Sequence, residues 1–167
     1  MRFTVLSAAG ALMLLSVSTS LMAQRADDQI DPKSLALLQQ GRSALAGGNV
    51  EGANDLLETA VAVDPRNREA FVVLADIART HGLPGKAIRL YREALSLEPN
   101  DVAALRGQGE ALVAKGAMGK AKDNLAKIQG LCKTACADAN TLSAAIAKGP
   151  PVTTAQAQPA TETTAKP

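Results

Sequence analysis

The chain has 167 residues, of which 47% are hydrophobic, 20% charged and 2% aromatic, and its formal net charge is +2 at pH 7. So small a net charge does not indicate a polyanionic partner, and so few aromatic side chains argue against a surface that stacks nucleic-acid bases. The length fits one domain of about 125 residues with a core of Leu, Val, Ile and Ala.

Residues 1–23 have the pattern of a secretory signal peptide. Arg2 supplies a positive start, an apolar run covers 5–17, and the small residue Ala23 precedes Gln24. The run is short and ends in a small-residue site, which is typical of a cleavable signal. An uncleaved N-terminal anchor is the alternative. The sequence therefore predicts a periplasmic or secreted protein, not inserted in the membrane once the signal is removed, with residues 24–31 as a flexible lead-in.

Six helical segments follow. Apolar residues recur at i, i+3, i+4 and i+7 in each, and no segment shows the alternation that a half-buried strand requires. Asp31-Pro32, Asn49 and Pro84 mark helix starts, and Asn100 or Asp101 marks another. We expect the helices to end near residues 46, 63, 80, 97, 115 and 129.

These helices form a repeat. The turns Asp64-Pro65 and Glu98-Pro99 place their prolines 34 residues apart (99 − 65) and define units 34–67, 68–101 and 102–133. Small residues on both helices of a unit let two antiparallel helices approach closely, and a bulky residue fills the gap towards the next unit. The small positions are Gly41, Ala75 and Gly109 with Ala53, Ala87 and Ala121, and the bulky ones are Leu57, Tyr91 and Leu125.

The chain leaves the repeat after Gly130. Leu142 and Ile146 predict a last helix over about 138–147, which would cap the open face of the third unit. Residues 149–167 are mostly Pro, Thr, Ala and Gln, so we expect a disordered tail. Acidic residues dominate 27–65 and basic residues dominate 102–148, which predicts an acidic end and a basic end of the stack.

Cys132 and Cys136 lie where the third unit gives way to the cap helix. In an exported protein so close a pair favours a structural disulfide, with free buried thiols, a redox pair or a metal role as alternatives. Two cysteines and the single histidine, His81, cannot supply the four ligands that zinc needs. No nucleophile accompanies His81 and no phosphate-binding loop is present, so we predict no enzyme, no catalytic residue, no metal and no cofactor.

The period and the small, bulky and proline positions resemble the tetratricopeptide repeat (TPR) family over roughly residues 34–132. The resemblance implies an all-α, right-handed α-solenoid of three helix–turn–helix units plus a C-terminal capping helix, over 32–148. It also implies a protein or peptide partner in a concave groove lined by the first helices. Its groove positions include Leu38, Arg42, Val72, Asp76, Arg79, Arg106 and Glu110. Structural pairing of the charged members with one another is the alternative to partner binding.

The predicted function is a non-enzymatic protein–protein interaction scaffold of the bacterial cell envelope, with assembly of an envelope, pilus or secretion complex as candidate roles. A thiol–disulfide protein using Cys132 and Cys136 is the alternative. Chaperone-binding TPR domains share a clamp of Lys, Asn and Arg. The matching positions here are Leu38, Arg42, Val73, Ala103 and Gly107, so that clamp is not expected.

Overall fold

The computed structural model of the chain describes residues 29–132 and 136–151. The predicted signal peptide, most of the lead-in and most of the tail lie outside these ranges. The described residues contain no strand, which confirms the all-α prediction. Their seven helices are α1 (Pro32–Ala46), α2 (Val50–Val63), α3 (Arg68–Thr80), α4 (Pro84–Leu97), α5 (Val102–Ala114), α6 (Met118–Leu131) and α7 (Ala137–Lys148). Within the described ranges, none of these helices is long and apolar enough to cross a bilayer.

The helix ends repeat with the same period as the sequence. Gly48, Gly82 and Gly116 all have positive φ, a conformation that glycine adopts without steric cost, and they follow α1, α3 and α5 at intervals of 34 residues (82 − 48 and 116 − 82). The three turns are closed by the same types of backbone hydrogen bond, such as Asn49 N–H to Ala44 O at 2.9 Å in the first. The three hairpins therefore share one turn geometry.

The seven helices pack as hairpins in a row. α1 pairs with α2, α3 with α4 and α5 with α6, and successive first helices α1, α3, α5 and α7 also contact one another. The backbones of α2, α4 and α6, all within the described ranges, do not approach one another in this way. A row that is packed more tightly on one side curves towards that side, so the first helices line the concave face.

Glycines, which have no side chain, let neighbouring helices pack closely. A Cβ on Gly41 would lie 2.8 Å from Leu57 Cγ in the same unit. One on Gly109 would lie 2.6 Å from Leu142 of α7, a helix that contacts both helices of the third unit. Tyr91, as the sequence predicts for a bulky position, reaches the next unit and packs against Gly107.

Candidate functional site

The predicted groove residues lie on α1, α3 and α5, but not all of them face a possible partner. Leu38 is only 2% exposed and packs in the core with Leu57 and Leu74. Its predicted role as a groove contact is therefore wrong, because its position turns towards α2 rather than out of the groove. The other predicted residues are partly exposed, and they are Arg42, Val72, Asp76, Arg79, Arg106 and Glu110.

The charged groove residues form ion pairs with one another across neighbouring first helices. Arg42 of α1 pairs with Glu69 of α3. Arg79 of α3 reaches Glu110 of α5 with 3.0 Å between Nη1 and Oε2, and it also contacts Asp76 on its own helix at 3.2 Å. These contacts link the first, second and third units along the concave face.

Arg106 continues this row to the cap. Its Nη1 lies 3.2 Å from Glu110 Oε1, and its Nε donates to Asp138 Oδ1 of α7 at 2.6 Å. Burial alone would lower the pKa of Arg106, but the charges of Glu110 and Asp138 and their hydrogen bonds outweigh burial and raise it. Arg106 is thus a fixed cation that ties the cap helix to the third unit.

Tyr91 contacts two of the charged groove residues from the core. Its ring is fully buried, and its hydroxyl donates to Asp76 Oδ1 at 2.6 Å and accepts from Arg79 Nε at 3.3 Å. Burial, and then the hydrogen bond to Asp76, raise the pKa of Tyr91 well above its ordinary value of 10.0, so the phenol stays protonated and can donate. The second-unit charges are therefore anchored in the core as well as to each other.

We call the ion-paired groove residues the charge row. It contains three cations and four anions, all in contact with an opposite charge: Arg42, Arg79 and Arg106 with Glu69, Asp76, Glu110 and Asp138. Most of these side chains are between a quarter and a half exposed. The row is thus close to neutral and accessible at its surface, which does not favour a strongly charged ligand.

Apolar side chains accompany the row at its N-terminal end. Leu35 on α1 is 44% exposed, and Leu45 on α1 with Val72 and Val73 on α3 are partly exposed. At the other end, a pocket of about 520 Å³ lies between α5 and the end of α7, with Val113 and Lys148 among its lining residues. The concave face therefore offers apolar surface at both ends of the charge row.

The cysteine pair lies between the end of α6 and the start of α7. Cys132 follows α6, Cys136 precedes α7, and their sulfur atoms are at disulfide distance with the Cα atoms 5.9 Å apart. Both side chains pack against the cluster that contains Ile128 and Leu142. This placement fits a structural link between the third unit and the cap helix.

Two members of this site were missed from the sequence. Tyr91 was assigned to packing alone, although a buried phenol usually needs a polar partner, and that need was a usable signal. Asp138 gave no signal, because its contact with Arg106 depends on how α7 docks. His81, predicted to lie in a turn, is the exposed C-cap of α3.

A family model described as "Tetratricopeptide repeat" matches residues 38–99 and 74–127. No curated protein matches the chain significantly in sequence. The first TPR of Spaghetti (RPAP3), solved with the HSP90 peptide SRMEEVD, has a TM-score of 0.64 at 20% identity and covers 70% of this chain and 91% of that one.

Two further solved structures are similar. The Sgt2 TPR domain from Aspergillus fumigatus has a TM-score of 0.63 at 22% identity, with coverage of 71% of this chain and 80% of that one. A mutant O-GlcNAc transferase from Thermobaculum terrenum has a TM-score of 0.62 at 24% identity, with 68% of this chain covered but only 22% of the enzyme. At these identities the likeness concerns the fold.

Proposed function

This chain belongs to the tetratricopeptide repeat family, and from that premise we propose that it is a non-enzymatic scaffold that binds a peptide or helix of a partner protein on its concave face. The observation that carries the proposal is the combination of exposed apolar side chains and a near-neutral charge row on one continuous face. Peptide grooves commonly combine apolar anchoring with polar contacts that fix orientation.

The ligand chemistry follows from the charges of the face. Leu35, Leu45, Val72 and Val73 would take apolar side chains of the partner, since their exposed area leaves water on binding. The half-exposed ion pairs contribute little to folding individually, so a partner could exchange contacts with them at low cost. We therefore propose a segment with apolar anchors and little net charge.

An acidic tail is a less suitable ligand. The RPAP3 domain is bound to the HSP90 peptide SRMEEVD, which ends in Glu-Glu-Val-Asp. Of the positions that correspond to the chaperone clamp, Val73, Ala103 and Gly107 carry no charge here, Leu38 is buried, and Arg42 is already paired with Glu69. In the part of the chain that the structure describes, these positions thus provide no unpaired cation that would hold two carboxylates.

The proposed setting is the bacterial cell envelope, on the basis of the signal-like residues 1–23. There the scaffold would take part in assembling an envelope, pilus or secretion complex. A fusion to alkaline phosphatase, which is active only after export, tests the location. We expect the fusion to be active and to lose its activity when Arg2 and the apolar run are altered. A fusion protein that is made but stays inactive in the cytosol would contradict the proposal.

Site-specific photo-crosslinking tests the groove. A benzophenone amino acid would replace Leu35 or Ala103, both exposed on the concave side, and as a control Ala62, which is exposed on α2. We expect one partner to be captured from the first two positions and not from Ala62. Capture from Ala62 alone, or equally from all three positions, would place the partner elsewhere.

The same partner gives a quantitative test. Arg79→Ala and Arg106→Ala should each weaken its affinity by about 1–3 kcal/mol if the charge row contacts the ligand. Melting temperatures must be measured in parallel, because both arginines also link helices. Unchanged affinity with a large fall in melting temperature would assign these residues to the scaffold, as the ion-pair alternative states.

The alternative, redox use of Cys132 and Cys136, stays a prediction. Their packing against α6 and α7 favours a structural bond. A free-thiol assay on the purified protein in glutathione buffers decides between the two. A pair that resists reduction supports the structural role, whereas ready exchange supports the redox role.

A further inference from the structure

A second surface lies on the opposite side of the stack from the concave groove. Between α4 and α6 there are two adjoining depressions of about 420 and 260 Å³. We call them together the α4–α6 cleft. Residues common to both are Arg92, Gln108 and Asn124, and Lys120 lines the second.

The repeat period makes this cleft comparable with the equivalent place one unit earlier. There, Glu58 of α2 and Lys86 of α4 form an ion pair, with 3.4 Å between Oε1 and Nζ. The residues 34 positions later (58 + 34 and 86 + 34) are Arg92 and Lys120. An acid–base pair has thus become two cations, and within the described residues neither of them takes part in an ion pair.

The floor of the cleft has its polar groups already matched. Asn124 Nδ2 donates to Gln108 Oε1 and to Leu105 O, each at 3.0 Å, and Gln108 Nε2 donates to Ile88 O at 3.5 Å. Beside these amides four apolar residues also line the cleft, and they are Ile88, Leu95, Leu105 and Leu112. Arg92 and Lys120 thus lie at the rim without an ion-pair partner among the described residues, and one acidic residue, Asp123, lines the same cleft.

We infer that the α4–α6 cleft is a second docking site, which takes an acidic segment of a protein partner. A Glu or Asp carboxylate of the partner lies between Arg92 and Lys120. It provides the negative charge that Glu58 provides for Lys86 in the preceding interface. An apolar neighbour of that acidic residue packs on the floor. A phosphate polyanion fits less well, since Asp123 also lines the cleft and would face several negative charges at once.

An NMR titration of the isotope-labelled full chain tests this inference. The probes are two short synthetic peptides of one sequence, rich in Leu and Ser, which carry either Glu or Gln at the same positions. We expect the Glu peptide to shift the amide signals of Arg92, Lys120 and Asn124, and the Gln peptide to shift them little. Equal shifts with both peptides, or shifts confined to the concave face, would overturn the inference.

Charge reversal supplies variants that keep the fold. Arg92→Glu and Lys120→Glu each restore an acid–base pair across the cleft, so we expect melting temperatures no lower than the parent's, while binding of the Glu peptide weakens about fivefold or more. Lys122→Glu is the matched control, because it makes the same charge change at an exposed position that does not line the cleft.

The control and a second probe separate specific docking from general attraction. Weakening by Lys122→Glu that equals the weakening by Arg92→Glu would reduce the effect to net charge and overturn the inference. Inorganic polyphosphate that shifts the same signals more strongly than the Glu peptide would also overturn it, in favour of a polyanion site. Either result leaves the concave-groove proposal intact, because the two surfaces share no residues.

Discussion

The interface between the first and second units and the interface between the second and third units occupy the same register but use different chemistry. At the first, Asn67 Nδ2 donates to Ser34 Oγ at 2.8 Å, and both side chains are buried. The residues 34 positions later (34 + 34 and 67 + 34), Arg68 and Asp101, form an ion pair instead. A neutral hydrogen bond and a salt bridge thus do the same task, which is to join the starts of successive first helices.

The packing differs in the same way. Leu57 and Val73 lie together in the first interface. Their counterparts (57 + 34 and 73 + 34) are Tyr91 and Gly107, so a larger side chain faces a residue without one. The register therefore constrains the combined volume of two positions, and it leaves their polarity free. In the second interface that freedom lets a core residue reach the charge row through its hydroxyl.

The largest effect is expected when the buried ring of the second interface is removed. Tyr91→Ala should destabilise the protein by about 3–5 kcal/mol, because it removes a fully buried aromatic ring. Leu57→Ala, the matched change in the first interface, should cost about 2–5 kcal/mol by cavity formation alone. Urea denaturation measures both. An effect of Tyr91→Ala below that of an exposed substitution would show that the ring does not join the units.

Replacing Tyr91 and Gly107 by the residue types of the first interface tests whether the two positions share one volume. Gly107→Val places side-chain atoms where the Tyr91 ring lies and should cost at least about 1–3 kcal/mol. The double variant Tyr91→Leu with Gly107→Val reproduces the Leu57–Val73 pair and should recover most of that loss. The coupling is read from a double-mutant cycle of unfolding free energies. Strictly additive effects would contradict the volume constraint.

A smaller effect should isolate the hydroxyl. Tyr91→Phe keeps the ring but removes the hydroxyl that donates to Asp76 and accepts from Arg79 Nε, at a cost of about 1 kcal/mol. Leu57, the equivalent residue of the first interface, has no hydroxyl. In the variant, neither interface therefore has a hydrogen bond from its bulky residue to the charge row. Thermal melts measure the loss, and no change in melting temperature would mean that water replaces the phenol at no cost.

The smallest effect is a loss of stability in acid, and it is expected at the first interface. The side-chain hydrogen bond from Arg66, and then the backbone N–H of Asp31, lower the pKa of Asp64 well below its ordinary 3.8. Stability from this carboxylate is therefore present above about pH 3.8 and is lost as the pH falls further. The second interface has no equivalent hydrogen bond, because the residue 34 positions after Asp31 (31 + 34) is Pro65, which has no backbone N–H.

Melting temperature against pH measures this contribution, and Asp64→Asn should flatten the curve below pH 4. The contact from Asp31 N–H to Asp64 Oδ2, at 2.8 Å, holds the start of α1 to the turn after α2. Amide exchange in α1 should therefore rise first in acid. Equal acid sensitivity of the parent and Asp64→Asn would contradict the assignment.

The sequence predicted the helices, the hairpins and the concave face, because a 34-residue period and its small positions follow from how helices pack. For Arg79 and Arg106, the sequence leaves open whether the side chains contact a partner or pair with charges of the protein itself. Long side chains choose among several acceptors, and only the docked helices bring Glu110 and Asp138 within reach. Leu38 was misplaced for a related reason, since a small rotation of α1 decides which of its faces is buried.

The pairing of Tyr91 with Gly107 also bears on how such a repeat array can evolve. A duplication that inserted a second copy of the middle unit would set Tyr91 against a new copy of Val73, where no room exists for the ring. Deleting the middle unit would set Leu57 against Gly107 and leave a hole. The units are therefore not interchangeable modules, and a change of repeat number in this lineage requires compensating substitutions at these two positions.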